Sequence, residues 1–79
     1  MWYIYILKCK DGSLYTGITT DVSRRFNEHK NKTGGHYTRS HPVKSIVYTE
    51  RVRTQSKALK REHQIKNLKR EGKLKLIKN

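Results

Sequence analysis

The sequence contains one cysteine, one proline, one tryptophan, one phenylalanine and only six acidic residues in 79. Each scarcity excludes something. A lone Cys9 forms no internal disulfide and no four-ligand zinc cluster, so a reducing, cytoplasmic compartment is the default expectation. Pro42 stands alone and no repeat or low-complexity run occurs, so residues 1–79 read as a single domain without a linker. No apolar run reaches the roughly 18 residues that a membrane-spanning helix needs. The opening Met1–Leu7 stretch is apolar, but it is short for a signal-peptide core and no basic segment precedes it. We read it as part of the mature chain.

The shortage of acids leaves 19 Lys and Arg side chains poorly balanced, at a formal net charge of +13 and an isoelectric point of about 10.3. Such self-repulsion opposes a compact state unless an anionic partner offsets it. A basic domain of this kind carries the usual electrostatic footprint of nucleic-acid binding. The excess is uneven, because residues 51–79 hold 11 basic and 2 acidic side chains.

Trp2 to Cys9 is rich in Trp, Tyr and Ile and predicts a strand. Lys10-Asp11-Gly12 signals a turn, and Ser13 to Thr19 predicts a second strand. Asp21 caps a helix expected to reach about Lys32, and Thr33-Gly34-Gly35 opens a loop that runs through Pro42. Val43 to Val52 predicts a third strand, and Thr54 caps a second helix expected to reach about Arg70. Gly72 reads as its breaker, leaving a short last helix over Lys73 to Lys78. The order β-β-α-β-α-α predicts an α+β fold, a small antiparallel three-stranded sheet flanked by helices.

The hairpin turn decides which side chains share a face. A two-residue loop would put Tyr15 on the opposite side from Tyr5. A three-residue loop with Gly12 in the left-handed conformation pairs Leu7 with Tyr15 and Tyr5 with Gly17. It places Ile4, Ile6, Leu14 and Ile18 on one face and Tyr3, Tyr5 and Tyr15 on the other, and this sorting favours it. Gly17 would then leave an open spot beside Tyr5, where a ligand backbone approaches.

Polar residues occupy places where a core is expected. Val22 and Phe26 mark the buried stripe of the first helix, and Arg25 and His29 flank it at about 100° per residue. Arg24, Asn27 and Glu28 fall on its outer face. On the second helix Ala58, Ile65 and Leu68 define an inner arc with Leu59 beside it, and Glu62 projects inside that arc. A carboxylate there is costly unless paired or bound to a metal. Each residue also has an ordinary reading. Arg25 snorkels, His29 answers a helix dipole, Glu62 pairs with Lys66 at i+4, and Tyr5 and Tyr15 are strand aromatics. Taken together, the five point to one site.

Tyr3-Ile4-Tyr5, then Tyr15-Thr16-Gly17, then Arg25 ten residues after Tyr15, His29 four residues later, and Glu62 on a later helix resemble the GIY-YIG nuclease domain. The resemblance covers essentially the whole chain. It is nearest to short stand-alone bacterial members, related to the catalytic domain of an excision-repair endonuclease, in which a stretch like Ala58–Lys66 is characteristic. Tyr3 replaces the first glycine of the family pattern and Thr16 its middle isoleucine. Asn79 is the one terminal candidate for the asparagine that many members carry near the end of the domain.

The resemblance implies metal-assisted hydrolysis of DNA phosphodiesters, structure-guided or weakly sequence-specific, in DNA repair or recombination. It implies catalytic roles for Tyr5, Tyr15, Arg25, His29 and Glu62. Glu62 would hold one Mg²⁺ or Mn²⁺ ion with a mostly aqueous shell. Arg25 would bind phosphate oxygens, and Tyr5 or Tyr15 would act as the base, with His29 as proton relay or phosphate contact. A phenol with an ordinary pKa near 10 is a poor base unless neighbouring charge favours its phenolate. Lys66, Lys69, Arg70 and Lys73, with His36 and Arg39 in the loop and Gly17 on the second strand, are the candidate nucleic-acid contacts. DNA is the expected partner, RNA is the other nucleic acid that fits, no membrane is expected, and targeting by a separate protein partner is the alternative to weak specificity of the domain itself. The competing reading is a basic module that binds nucleic acid without cutting. A pure binder has no use for an inward Glu62, which repels phosphate.

Overall fold

Alternating β-branched and aromatic residues build β1 (Trp2–Cys9) and β2 (Leu14–Thr19), and the turn between them is the three-residue loop expected from the sequence. Gly12 sits at φ 87, which an L side chain rarely tolerates. The Gly12 amide donates to the Cys9 carbonyl and the Cys9 amide to the Ser13 carbonyl, each at 2.9 Å. Asp11 fixes the far side by accepting from the Ser13 amide and hydroxyl. The computed structural model describes residues 1–31 and 40–78; the expectations for His36, Arg39, Asn79 and the glycine-containing loop lie outside them.

β3 (Val43–Val52) pairs with the other side of β1, so the antiparallel sheet runs β2-β1-β3 with β1 at its centre. The register pairs Tyr5 with Gly17 and Leu7 with Tyr15, as expected. Both faces carry a core. Ile4 and Ile6 pack with Ala58 and Ile65 on one face. On the other, Tyr5, Leu7 and Val43 pack with Tyr15, Phe26 and Ile46. The tyrosine face is therefore not purely phenolic.

Asp21 caps α1 (Val22–Lys30) by accepting from the Arg24 amide, and Thr54 caps α2 (Gln55–Lys66) by accepting from the Lys57 amide. Each helix ends one turn or less before its expected limit, at Asn31 and Asn67, where a short polar side chain favours leaving the helix. Two expectations for the C-terminal third fail. Gly72 does not break a helix but lies inside α3 (Arg70–Lys78). A Cβ at Gly72 would stand 3.3 Å from that of Leu68, so the glycine's use here is close packing at the α2–α3 corner. Leu68 falls beyond the end of α2 and is exposed, as is Leu59, so neither belongs to the inner arc. The topology β-β-α-β-α-α is otherwise as predicted.

Candidate active site

β1 delivers Tyr5 and β2 delivers Tyr15 to the same face, and α1 lays His29 over both. The Tyr5 hydroxyl and His29 Nε2 are 2.9 Å apart in a buried hydrogen bond. Tyr5 is 2% exposed and His29 1%, although the helical pattern placed His29 only beside the buried stripe. The Tyr15 ring meets the His29 imidazole edge-on at 5.1 Å and lies 6.3 Å from the Tyr5 ring. Such tilted and T-shaped arrangements are the favoured ones for aromatic quadrupoles, and here they fix the imidazole's orientation.

Gly17 explains the course of the Tyr5 phenol. A Cβ at Gly17 would fall 2.6 Å from Tyr5 Cζ and closer still to the hydroxyl. The open spot expected beside Tyr5 is therefore absent, because the phenol itself lies across the glycine towards the edge strand β2. This matters for Glu62. Helix α2 packs on the aliphatic face, yet the Glu62 charge acts on the Tyr5 hydroxyl.

Arg25 completes the group. Its guanidinium hydrogen-bonds the Tyr5 phenol and donates to Glu28 Oε1 at 3.1 Å. Glu28, placed on the outer face by the helical pattern, is half-buried by this pairing. Its position three residues after Arg25 was the signal that identifies it. Glu62 is mostly covered, with its side chain 18% exposed, and its carboxylate meets Lys66 Nζ at 3.3 Å.

The electrostatics keep the Tyr5–His29 pair neutral. Burial pushes the Tyr5 phenol up to about 12; Arg25 acts the other way, and Tyr15 and Glu62 add to the rise. The expectation that neighbouring charge favours the phenolate is thus reversed by desolvation. Burial, and then the charge of Arg25, hold His29 below its ordinary value against the pull of Glu28. Desolvation works against the charge on Arg25, but hydrogen bonds to Glu28 and Tyr5 outweigh it and raise its pKa. With Arg25 donating to the phenolic oxygen, the Tyr5 hydroxyl is set to donate to a neutral His29 Nε2.

The candidate backbone contacts are dispersed. Lys66 is turned to Glu62, and Arg70 donates to the Gly12 carbonyl at 2.9 Å, tying α3 to the hairpin turn. Lys69 is exposed between α2 and α3, and Lys73 is half-buried on α3. Sequence reasoning also missed a clamp on α2 next to Glu62. The Arg61 Nε donates to both Glu50 oxygens, at 3.2 and 3.0 Å, and Tyr48 donates to Glu50 Oε1 at 2.6 Å.

A β-β-α-β-α-α domain that gathers two tyrosines, an arginine and a histidine on one side of its sheet, with a glutamate on a later helix, has the make-up of a nuclease-superfamily domain. The family model of the GIY-YIG catalytic domain matches residues 1–75. The chain belongs to the GIY-YIG family. It is 52% identical over 75 residues to a UPF0213 protein of Staphylococcus saprophyticus, covering 95% of this chain and 92% of that one. The solution NMR structure of a UPF0213 protein from Bacillus halodurans matches with a TM-score of 0.62 at 42% identity, over 99% of this chain and 84% of the other. A second solution NMR structure, of a protein from E. faecalis, matches with a TM-score of 0.64 at 43% identity, over 96% and 81%.

Proposed function

We propose that the protein is a divalent-metal-dependent endonuclease that hydrolyses phosphodiester bonds in DNA, guided by substrate structure or weakly by sequence. The observation that carries this reading is the buried Tyr5–His29 hydrogen bond with Arg25 on the same phenol. A phenol raised to about 12 does not ionise by itself near neutral pH. It does pass a proton along. As the phenolic oxygen takes a proton from the attacking water, its own proton moves to His29 Nε2, and no free phenolate forms. The water oxygen bonds to phosphorus, the P–O bond to the leaving oxygen breaks, and that oxygen takes a proton from solvent water on release, while His29 returns its extra proton to solvent through the phenol after turnover. Arg25 binds the non-bridging oxygens and offsets the charge that grows on them. Tyr15 holds the imidazole in line.

Among the described residues no group of three or more His, Cys, Asp or Glu is placed to hold a metal ion, as a zinc site requires. Glu62 offers one carboxylate, paired with Lys66 at 3.3 Å, and this donor suits a single hard Mg²⁺ or Mn²⁺ ion that keeps most of its water. Lys66 would leave that carboxylate to the ion. When bound, the ion would supply Lewis-acid stabilisation of the leaving oxygen.

The test is strand scission of single-stranded, duplex, flapped and branched DNA with Mg²⁺, with Mn²⁺ and with chelator. Scission that needs the metal supports the reading. Tight binding with no scission of any substrate overturns it in favour of a non-cutting basic module.

A further inference from the structure

A cleft of about 250 Å³ opens beside Arg25 at the β2 end of the sheet. It wraps the sheet margin, with Trp2 contributed by the aliphatic face and Arg24, Arg25 and Glu28 by α1 on the other. Trp2 is half-buried. It packs against the Ile4–Ile6 cluster and also lines the cleft. It is the sole tryptophan of the chain. Arg24 is exposed, and its backbone amide is engaged by the Asp21 cap. The Glu28 charge is offset by Arg25 at 3.1 Å.

An aromatic wall next to two guanidinium groups is a specific combination. A phosphate alone has no use for the indole, and an apolar ligand has no use for the arginines. A nucleotide uses both. We propose that this cleft receives one unpaired nucleobase adjacent to the phosphate held by Arg25, stacked on Trp2, with its own phosphate directed to Arg24. Glu28 supplies an acceptor for a base N–H. Stacking on an aromatic side chain tolerates any base, because each presents a π face. A base stacked on Trp2 has to leave its own stack and its pairing partner, so single-stranded, flapped or frayed DNA is favoured over intact duplex. The proposal rests on the nuclease reading for its purpose, but its test does not depend on cleavage.

The measurement is Trp2 emission together with anisotropy of a labelled short single-stranded DNA oligonucleotide, in chelator so that no strand is cut. An oligonucleotide of the same length with abasic sugars serves as the probe without bases. We expect the normal strand to quench Trp2 and to bind roughly 5- to 100-fold more tightly than the abasic one. Trp2→Leu keeps apolar packing and is expected to lose that preference while binding the abasic strand as wild type does. Trp2→Phe keeps a stacking face and is expected to retain most of it. Binding of the normal strand with unchanged Trp2 emission, or an unaltered preference in Trp2→Leu, overturns the base pocket and leaves the nuclease reading standing. Failure of both strands to bind also overturns the base pocket, while the nuclease reading is decided separately by the metal-dependent scission test.

Discussion

Tyr5 and His29, 24 residues apart in the chain, share a 2.9 Å hydrogen bond almost closed to water. The strand places one and the helix the other, and Gly17 gives the phenol its path over β2. Tyr5→Phe removes the proton path and leaves a buried imidazole nitrogen short of a partner. We expect a loss of about 10²- to 10⁴-fold in cleavage rate and of about 1–3 kcal/mol in stability. Denaturant unfolding beside single-turnover cleavage separates the two effects.

The neutral state of His29 sets a pH dependence. Its folded pKa lies below the ordinary 6.5, so its contribution to stability is fully present above 6.5. That contribution is lost as pH falls through the depressed value, and cleavage falls with it, because a protonated imidazole accepts nothing. Burial is the main cause and Arg25 the next, so Arg25→Gln is expected to raise the His29 pKa part of the way back. An NMR titration of the His29 ring protons in both proteins checks this.

Tyr5 acts with the opposite sign. Its folded pKa, about 12, exceeds the unfolded value of 10. The stability it contributes is complete below pH 10 and is lost as pH rises from there through about 12. Tyr5→Phe is expected to flatten that alkaline limb in thermal unfolding followed by circular dichroism.

At Gly17 even a methyl group conflicts with the phenol. Gly17→Ala is expected to cost about 1–3 kcal/mol, since a buried ring and two paired strands must shift together. Its cleavage rate is expected to fall further than its stability, and a crystal structure should show Tyr5 displaced from His29.

Thr16 offers the reverse case. Its hydroxyl is buried with no hydrogen-bond partner among the described residues. Thr16→Val keeps the shape and removes the polar atom, so a gain of about 1 kcal/mol in stability with unchanged cleavage is expected. Thermal melts and cleavage rates of the two proteins decide it.

The hairpin register was legible because Gly12 restricts the turn and because only one register sorts Ile4 and Ile6 from Tyr5 and Tyr15. The gathering of Tyr5, Arg25 and His29 followed from that register and from helical spacing. Gly72 was misread because helix propensity is a local quantity, while its close approach to Leu68 is a packing matter. Leu68 was misassigned because Asn67 ends the helix before it. The Arg70 tether to Gly12 spans 58 residues and leaves no local trace in the sequence. The course of Tyr5 over Gly17 also depends on the strand pairing, so the glycine looked like an opening when it was already filled.

The most direct measurement compares wild type with Glu62→Gln for Mg²⁺- and Mn²⁺-dependent nicking of flapped and single-stranded DNA, with binding measured on the same samples. Glutamine keeps the shape of the side chain and removes the charge that would hold the ion. We expect wild type to nick only with metal, and Glu62→Gln to bind at least as well while nicking at least 10²-fold more slowly. Equal nicking by the two proteins, or none by wild type with either ion, would contradict the proposed function.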